Sequence, residues 1–386
     1  MINIVKSTTG GLRSGAWVLF CMGLMSPSIG YAGEPADAHL GVTSERPVMP
    51  VYRADSEDRK RDWVDHREDL EMGPAHTPVP VVAQAEVVTG LPVRTVVWND
   101  EMRQIKDRIP QAYVRPSAAE SQSFKSVIQN VLDKNYGAAK SSAEALGYSL
   151  EEVRSEADGF RAVALREGKD ASGRMRGWGS YFFNLSISAS DVIVEAPHPI
   201  DDIGTPELAA GVFGQSNARV YLLSGSDRDH ADAAHDAGMI FNDVHTAVSA
   251  RWSRAIVCQI HGFSLAKHPS LPSGTQAVIS NVDGTVADVS AQVDTALRSK
   301  GIRGFVYNRL PAHHPRNQEL NEGRAGEDFS DLAATTNLQW DTTRPHSGKF
   351  VHIEFSYDVR STSALSQRVS SAVASALKRS LQNSAR

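Results

Sequence analysis

The chain has 386 residues, 41% hydrophobic and 22% charged, with a formal net charge of -5 at pH 7. That is enough chain for one large domain with a sizeable core plus an accessory segment. The basic residues are scattered with no run of five, which argues against a polyanion or nucleic-acid partner.

Residues 1–32 read as a signal peptide. Lys6 and Arg13 supply a positive start. Ala16 to Met25 is an uncharged apolar run, broken by Pro27, and Gly30-Tyr31-Ala32 puts small residues where a signal peptidase reads. The run is too short to span a bilayer comfortably. The expected protein is therefore exported, periplasmic or extracellular, with no stable membrane insertion after cleavage. Phe20 before Cys21 is too large for a lipoprotein site. The mature chain would keep only Cys258, so no intramolecular disulfide can form. Its setting in Ala255-Ile256-Val257-Cys258-Gln259-Ile260 marks a buried strand residue, not a nucleophile.

Residues 33–110 are expected to be a polar, largely irregular tail or linker, since 33–80 is rich in Pro, Asp, Glu and Arg. Val-rich pieces at 81–98 could form a strand or two. Residues 111–386 then make the main domain. Ser117-Ala118-Ala119-Glu120 has the form of a capping box. Behind it Phe124, Val127, Ile128, Val131 and Leu132 share one helical face. A second helix is expected over 137–157. Strands at 160–165 and 180–185, joined by a turn-rich link, suggest a hairpin.

From 190 onward strands and helices alternate. Strands are expected at 191–196, 219–223, 255–260, 274–279, 305–307 and 351–355. Helices are expected at 205–213, 236–251, 288–300 and 363–380, with Thr205 as a cap and Pro206 at the first position. This alternation predicts a three-layer α-β-α fold with a central mixed, mostly parallel sheet. In such folds the chemistry sits at the carboxyl ends of the strands.

That rule selects a few polar residues. The strand at 191–196 runs into His198, Asp201 and Asp202, and the strand at 255–260 runs into His261. Two histidines and one carboxylate, with a fourth position open to water, form the ligand set of catalytic zinc. Glu354 stands between Ile353 and Phe355 in an apolar strand, where a carboxylate is costly unless paired or at work. A base near a metal-activated water is such work. Arg228 follows the strand at 219–223 and could hold a substrate carboxylate. His235, seven residues before Asn242 on the expected helix, is a second substrate-facing candidate. His230, His245, His313, His314 and Asn337 are weaker ones, with 310–335 a loop able to cover the site.

His-Pro-Ile-Asp-Asp-Ile-Gly-Thr (198–205), His261, and His352-Ile-Glu354-Phe-Ser356 with Arg360 resemble the poly-gamma-glutamate hydrolase group, related to zinc carboxypeptidases of phosphorylase/hydrolase-like fold. The resemblance covers about residues 190–362. It implies zinc on His198, Asp202 and His261, with Asp201 the alternative acidic ligand, and Glu354 as general base. It also brings Arg360 into the substrate-binding set with Arg228 and His235. The group commonly has Glu as the acidic ligand, whereas both candidates here are Asp. The shorter arm requires a closer backbone. The implied activity is hydrolysis of peptide, gamma-glutamyl or cell-wall peptide bonds. Rival readings are an inactive binding module on the same fold, and a serine hydrolase using Ser224 or Ser226, which lacks the Gly-x-Ser-x-Gly elbow.

Overall fold

The computed structural model describes residues 87–346 and 349–384. The expected signal peptide and the tail up to residue 86 lie outside these. In chain order the strands and helices are β1 (Val93–Val96), α1 (Trp98–Lys106), α2 (Ala118–Leu132), α3 (Tyr136–Ala145), β2 (Tyr148–Ser155), β3 (Arg161–Glu167), β4 (Ser180–Asn184) and β5 (Ser190–Ala196). They continue with α4 (Thr205–Ser216), β6 (Ala218–Leu223), α5 (Ile240–Arg251), β7 (Ile256–Phe263), β8 (Ala277–Ser280), α6 (Asp288–Arg298), β9 (Gly304–Val306) and α7 (Pro315–Asn321). The last are α8 (Leu338–Thr343), β10 (Lys349–Ser356), α9 (Tyr357–Ser361) and α10 (Ser363–Ser384). No helix among the described residues is long and apolar enough to cross a membrane.

The strands form one mixed sheet in the order β1-β2-β3-β4-β6-β5-β7-β10-β8-β9. The β2–β3–β4 meander is antiparallel, while β6, β5, β7 and β10 lie parallel side by side. Side chains of these central strands alternate between two apolar layers. Val194, Cys258, Ile260 and Ile353 face one layer with Leu208, Phe213 and Val373. Ile193, Val257 and Phe350 face the other with Phe124, Ile128 and Val244. The helices therefore cover both faces, the three-layer architecture expected from the alternation. A fully buried Phe124 or Phe213 contributes about 2–3 kcal/mol to either layer.

Three local expectations change. The helix α1 lies inside the segment 33–110 expected to be largely irregular, whereas β1 falls in the Val-rich stretch 81–98 where a strand is allowed. Glu101 of α1 is buried, and it accepts hydrogen bonds from Arg94 at 2.7 Å and Arg166 at 2.8 Å, which tie α1 to the sheet. The expected helix over 137–157 ends at Ala145 and becomes β2, because Tyr148 and Leu150 turn inward while Ser149 faces out. At α4 the cap is Gly204, in the left-handed conformation at φ +88°; Thr205 is already helical. A Cβ on residue 204 would sit 2.6 Å from the Arg360 carbonyl oxygen, so the chain can pass there only as glycine.

The connections position the site. From β5 the chain passes through α4 to β6 on one side, then through α5 to β7 on the other. The strand order reverses around β5, which opens a crevice at the carboxyl ends of β5 and β7.

Candidate metal centre

His198 and Asp202 come from the turn after β5. The Asp202 amide donates to the His198 carbonyl at 3.0 Å, and the Thr205 hydroxyl donates to the Asp202 carbonyl at 2.8 Å. This single tight turn brings the short aspartate arm beside the imidazole. His261 rises from β7 in the neighbouring strand, and Glu354 is its register partner on β10. All four are at least nine-tenths buried.

Three donor atoms meet at one point. His198 Nδ1 lies 3.1 Å from His261 Nδ1, and Asp202 Oδ2 lies 3.4 Å from the first and 3.3 Å from the second. A tetrahedral metal with bonds of about 2.0–2.2 Å has donor–donor edges of about 3.3–3.5 Å. The opposite ring nitrogens are already engaged: His198 Nε2 with Asp232 Oδ1 at 2.8 Å, and His261 Nε2 with Gln259 Oε1 at 2.8 Å. Both acceptors want an N–H, so each ring turns an unshared pair toward the shared point. Asp202 Oδ2 is buried without a hydrogen-bond partner. The only N–H reaching the three among the described residues is that of the half-exposed Arg228, 2.6 Å from His198 Nδ1, so with Arg228 turned away the donor set fits a metal ion.

The electrostatics agree. Burial pushes His198 down, but Asp202 and Asp232 outweigh it and hold the imidazole above the ordinary histidine value. Burial pushes His261 down to about 4, against the pull of Asp202. Burial opposes ionisation of Asp202, yet the two imidazoles hold its carboxyl far below the usual range. Glu354 is raised to about 8 by burial and then by the Asp202 charge. Its Oε2 has no partner, and Oε1 stands 3.6 Å from His352 Nε2. Glu354 and His352 also form a group with His261 whose ligand atoms lie within 4.8 Å of one another.

Other expected site residues are placed as follows. Asp201 does not join the donor set; it accepts from the Arg228 amide at 2.7 Å. The Arg228 guanidinium does reach the cluster, 2.6 Å from His198 Nδ1. His235 is not on a helix with Asn242. It lies before α5, between Asp232 Oδ2 at 2.9 Å and Thr336 at 3.1 Å. Arg360 borders the cleft but spends its guanidinium on the carbonyls of Phe355, Ile203 and Phe263, so it acts as a backbone tie. His314 caps α7. Ser226 donates to the Asp227 carbonyl, and the Ser224 hydroxyl is buried without a partner. Among the described residues neither serine bonds a histidine, which leaves the serine-hydrolase reading without its base. Cys258 is buried in the apolar layer, and burial pushes its thiol up.

Asp232 and Gln259 were not among the expected residues. Gln259 had a signal, being two residues from His261 in a strand and so on the same face. Asp232, in an irregular loop, had none. The cleft over the cluster measures about 880 Å³ and is walled by Arg228, His235, Phe263, Lys267, Thr336 and Tyr357, among others. Ser330, Asp331, Leu332, Ala334 and Thr335, from the loop expected to cover the site, also line it.

No family model and no curated protein matches the sequence. Similar solved structures include a gene product from Agrobacterium tumefaciens, at 10% identity and a TM-score of 0.34, covering 51% of this chain and 92% of that one. An N-formylglutamate amidohydrolase from Ralstonia eutropha shows 12% identity and a TM-score of 0.31, covering 50% and 94%. A candidate metallopeptidase from Shewanella amazonensis shows 13% identity and a TM-score of 0.32, covering 71% and 98%. Likeness this distant assigns no function, so any assignment has to come from the residues.

Proposed function

We propose that the chain is a zinc-dependent amide hydrolase in which His198, Asp202 and His261 hold the ion and Glu354 moves the proton. The observation that carries this reading is the meeting of three buried lone pairs at tetrahedral spacing, with both histidines fixed from behind. Zinc there would supply a Lewis acid that acidifies water and polarises a carbonyl. Glu354 takes the proton of the attacking water and returns it to the leaving amine. Arg228, half exposed at the mouth of the cluster, swings off His198 to meet a substrate carboxylate or the developing oxyanion. The bond cleaved is peptide-like or gamma-glutamyl, and the chain acts outside the cytoplasm. Support for these two points comes from the resemblance over residues 190–362 and from the composition of residues 1–32.

Elemental analysis of purified protein tests the reading, beside His198→Ala and His261→Ala. The expected result is about one zinc per chain in the parent and far less in both variants. A parent that stays metal-free after zinc is added would overturn it. Glu354→Gln should keep the zinc and lose turnover.

A further inference from the structure

Beneath the metal centre, on the same face of the sheet, lies a buried polar cluster that the proposed chemistry does not use. Glu195 of β5, Gln259 of β7 and His352 of β10 share one row across the strands, one step below His261 and Glu354. Glu195, Gln259, His245 and Gln339 are completely buried, and Asn337 is 1% exposed. Such a cluster is tolerated only when its hydrogen bonds are satisfied.

The directions of its bonds can be fixed one by one. Asn337 Oδ1 accepts from the Trp340 backbone amide at 3.1 Å, so its Nδ2 must be the group that donates to Gln259 at 2.6 Å. Gln339 Nε2 donates to the Ala233 carbonyl at 2.7 Å, so its Oε1 is the group 3.0 Å from Gln259. The Glu195 carboxylate lies 2.9 Å from that same end of Gln259, and its other oxygen lies 2.6 Å from His245 Nδ1. A carboxylate cannot donate. Three references therefore agree on one orientation: the Gln259 amide nitrogen faces Glu195 and Gln339, and its oxygen faces Asn337 and His261. That oxygen lies 2.8 Å from His261 Nε2 and requires a proton there. Nδ1 is left bare toward Asp202 and His198.

We infer that Glu195, with Gln259 as intermediary, is a positioning residue that locks His261 in the Nε2–H tautomer and so keeps Nδ1 available as a metal donor. A backbone amide, a backbone carbonyl and a buried carboxylate set the tautomer through three side-chain amides, those of Asn337, Gln339 and Gln259. None of these groups touches the metal centre. Asp232 does the same for His198 directly; His261, deeper in the sheet, is served by this longer chain.

The inference rests on the metal reading, so its test separates the two. The full-length parent and Gln259→Met, metal removed, are labelled with ¹⁵N-histidine and examined at about pH 8.5, where imidazole is neutral. The parent should show His261 Nε2 protonated and Nδ1 bare as a single tautomer. In Gln259→Met the two ring-nitrogen shifts should move toward each other as the tautomers exchange. The zinc affinity of the folded variant should fall by about 10- to 100-fold. Gln259→Glu sets two carboxylates against each other but keeps an acceptor facing His261 Nε2, so the folded variant should keep the single tautomer. The swap Glu195→Gln with Gln259→Glu relieves that repulsion, keeps an acceptor facing His261 and should likewise hold the single Nε2–H tautomer. The swap also keeps the test open if Gln259→Met does not fold. An unchanged single tautomer with unchanged zinc affinity in folded Gln259→Met would overturn the inference. So would a folded swap variant in which His261 exchanges between tautomers. A parent with the locked tautomer that takes up no zinc would leave the positioning role standing and overturn the metal reading instead.

Discussion

Asp202 and Asp201 are neighbours in sequence, yet the Asp202 carboxylate points into the cluster, 3.3 Å from His261 Nδ1, while that of Asp201 turns out to the Arg228 amide. The turn after β5 makes this choice, because the Asp202 amide is bonded back to His198. Asp202→Asn should therefore weaken zinc binding by at least about 10-fold, whereas Asp201→Asn should leave it within about 2-fold. Competition with a chromophoric chelator measures both. Equal losses would mean that the two carboxylates share the ion.

Asp232 holds His198 from behind and is itself held, accepting from the Ala234 amide at 2.9 Å. Asp232→Ala leaves all three donors in place but frees the His198 ring. Zinc affinity should drop about 10- to 100-fold with the fold intact. Near-parent affinity in that variant would show that packing alone orients the ring.

Much of this site was legible in the sequence. Strand–helix alternation gave the layers, and strand ends gave His198, His261 and the acidic pair. Glu354 stood out as a carboxylate between Ile353 and Phe355 in an apolar strand. Other features were hidden for physical reasons. Asp232 acts from an irregular loop, where no periodicity marks direction. The helix at 98–106 and the strand at 148–155 were missed because they are short, and their placement is decided by tertiary contacts, the Arg94–Glu101–Arg166 cluster among them. Arg360 was expected at the substrate on the strength of the resemblance over residues 190–362. Its actual partners are carbonyl oxygens, which sequence spacing does not reveal.

The sign of one pH effect follows from Glu354. Burial, then Asp202, raises its carboxyl to about 8 in the fold, against about 4.3 in an unfolded chain. The folded state thus holds the proton more tightly. Its contribution to stability is complete below about pH 4 and is lost as pH rises toward about 8. Glu354→Gln removes that loss. In chelator-treated protein, parent and variant should unfold alike at about pH 4, and the variant should be more stable by roughly 4–5 kcal/mol at about pH 8. Thermal unfolding across that range reads it, and parallel curves would contradict it. With zinc restored, the same variant should lose about 10²- to 10⁴-fold in kcat.

Away from the site, Glu167 at the end of β3 accepts four backbone N–H bonds, from Arg176 at 2.6 Å, Gly177 at 2.9 Å, Trp178 at 2.8 Å and Gly179 at 3.1 Å. An amide cannot accept at both ends. Glu167→Gln should set an NH₂ against two of these donors and cost roughly 2–4 kcal/mol. Urea unfolding tests this, and a change under about 0.5 kcal/mol, the size of an ordinary surface substitution, would refute it.

Arg360 joins the three segments that carry the site. Its Nε donates to Phe355 of β10 at 2.9 Å, Nη2 to Phe263 of β7 at 3.4 Å, and Nη1 to Ile203 in the turn after β5. The guanidinium lies over Gly262, where a Cβ would collide with its carbon and nitrogens. The glycine and the arginine are thus one device. Lysine has a single point of donation and cannot span three carbonyls. Arg360→Lys should cost roughly 2–3 kcal/mol by leaving buried carbonyls unpaired. Gly262→Ala should cost a similar amount by displacing the fork. Because both changes break the same contact, the double variant should cost clearly less than the sum, by about 1 kcal/mol or more. If Arg360 served substrate instead, Arg360→Lys would raise KM with stability unchanged, and the two variants would add. Unfolding and steady-state kinetics on the same four proteins separate these outcomes.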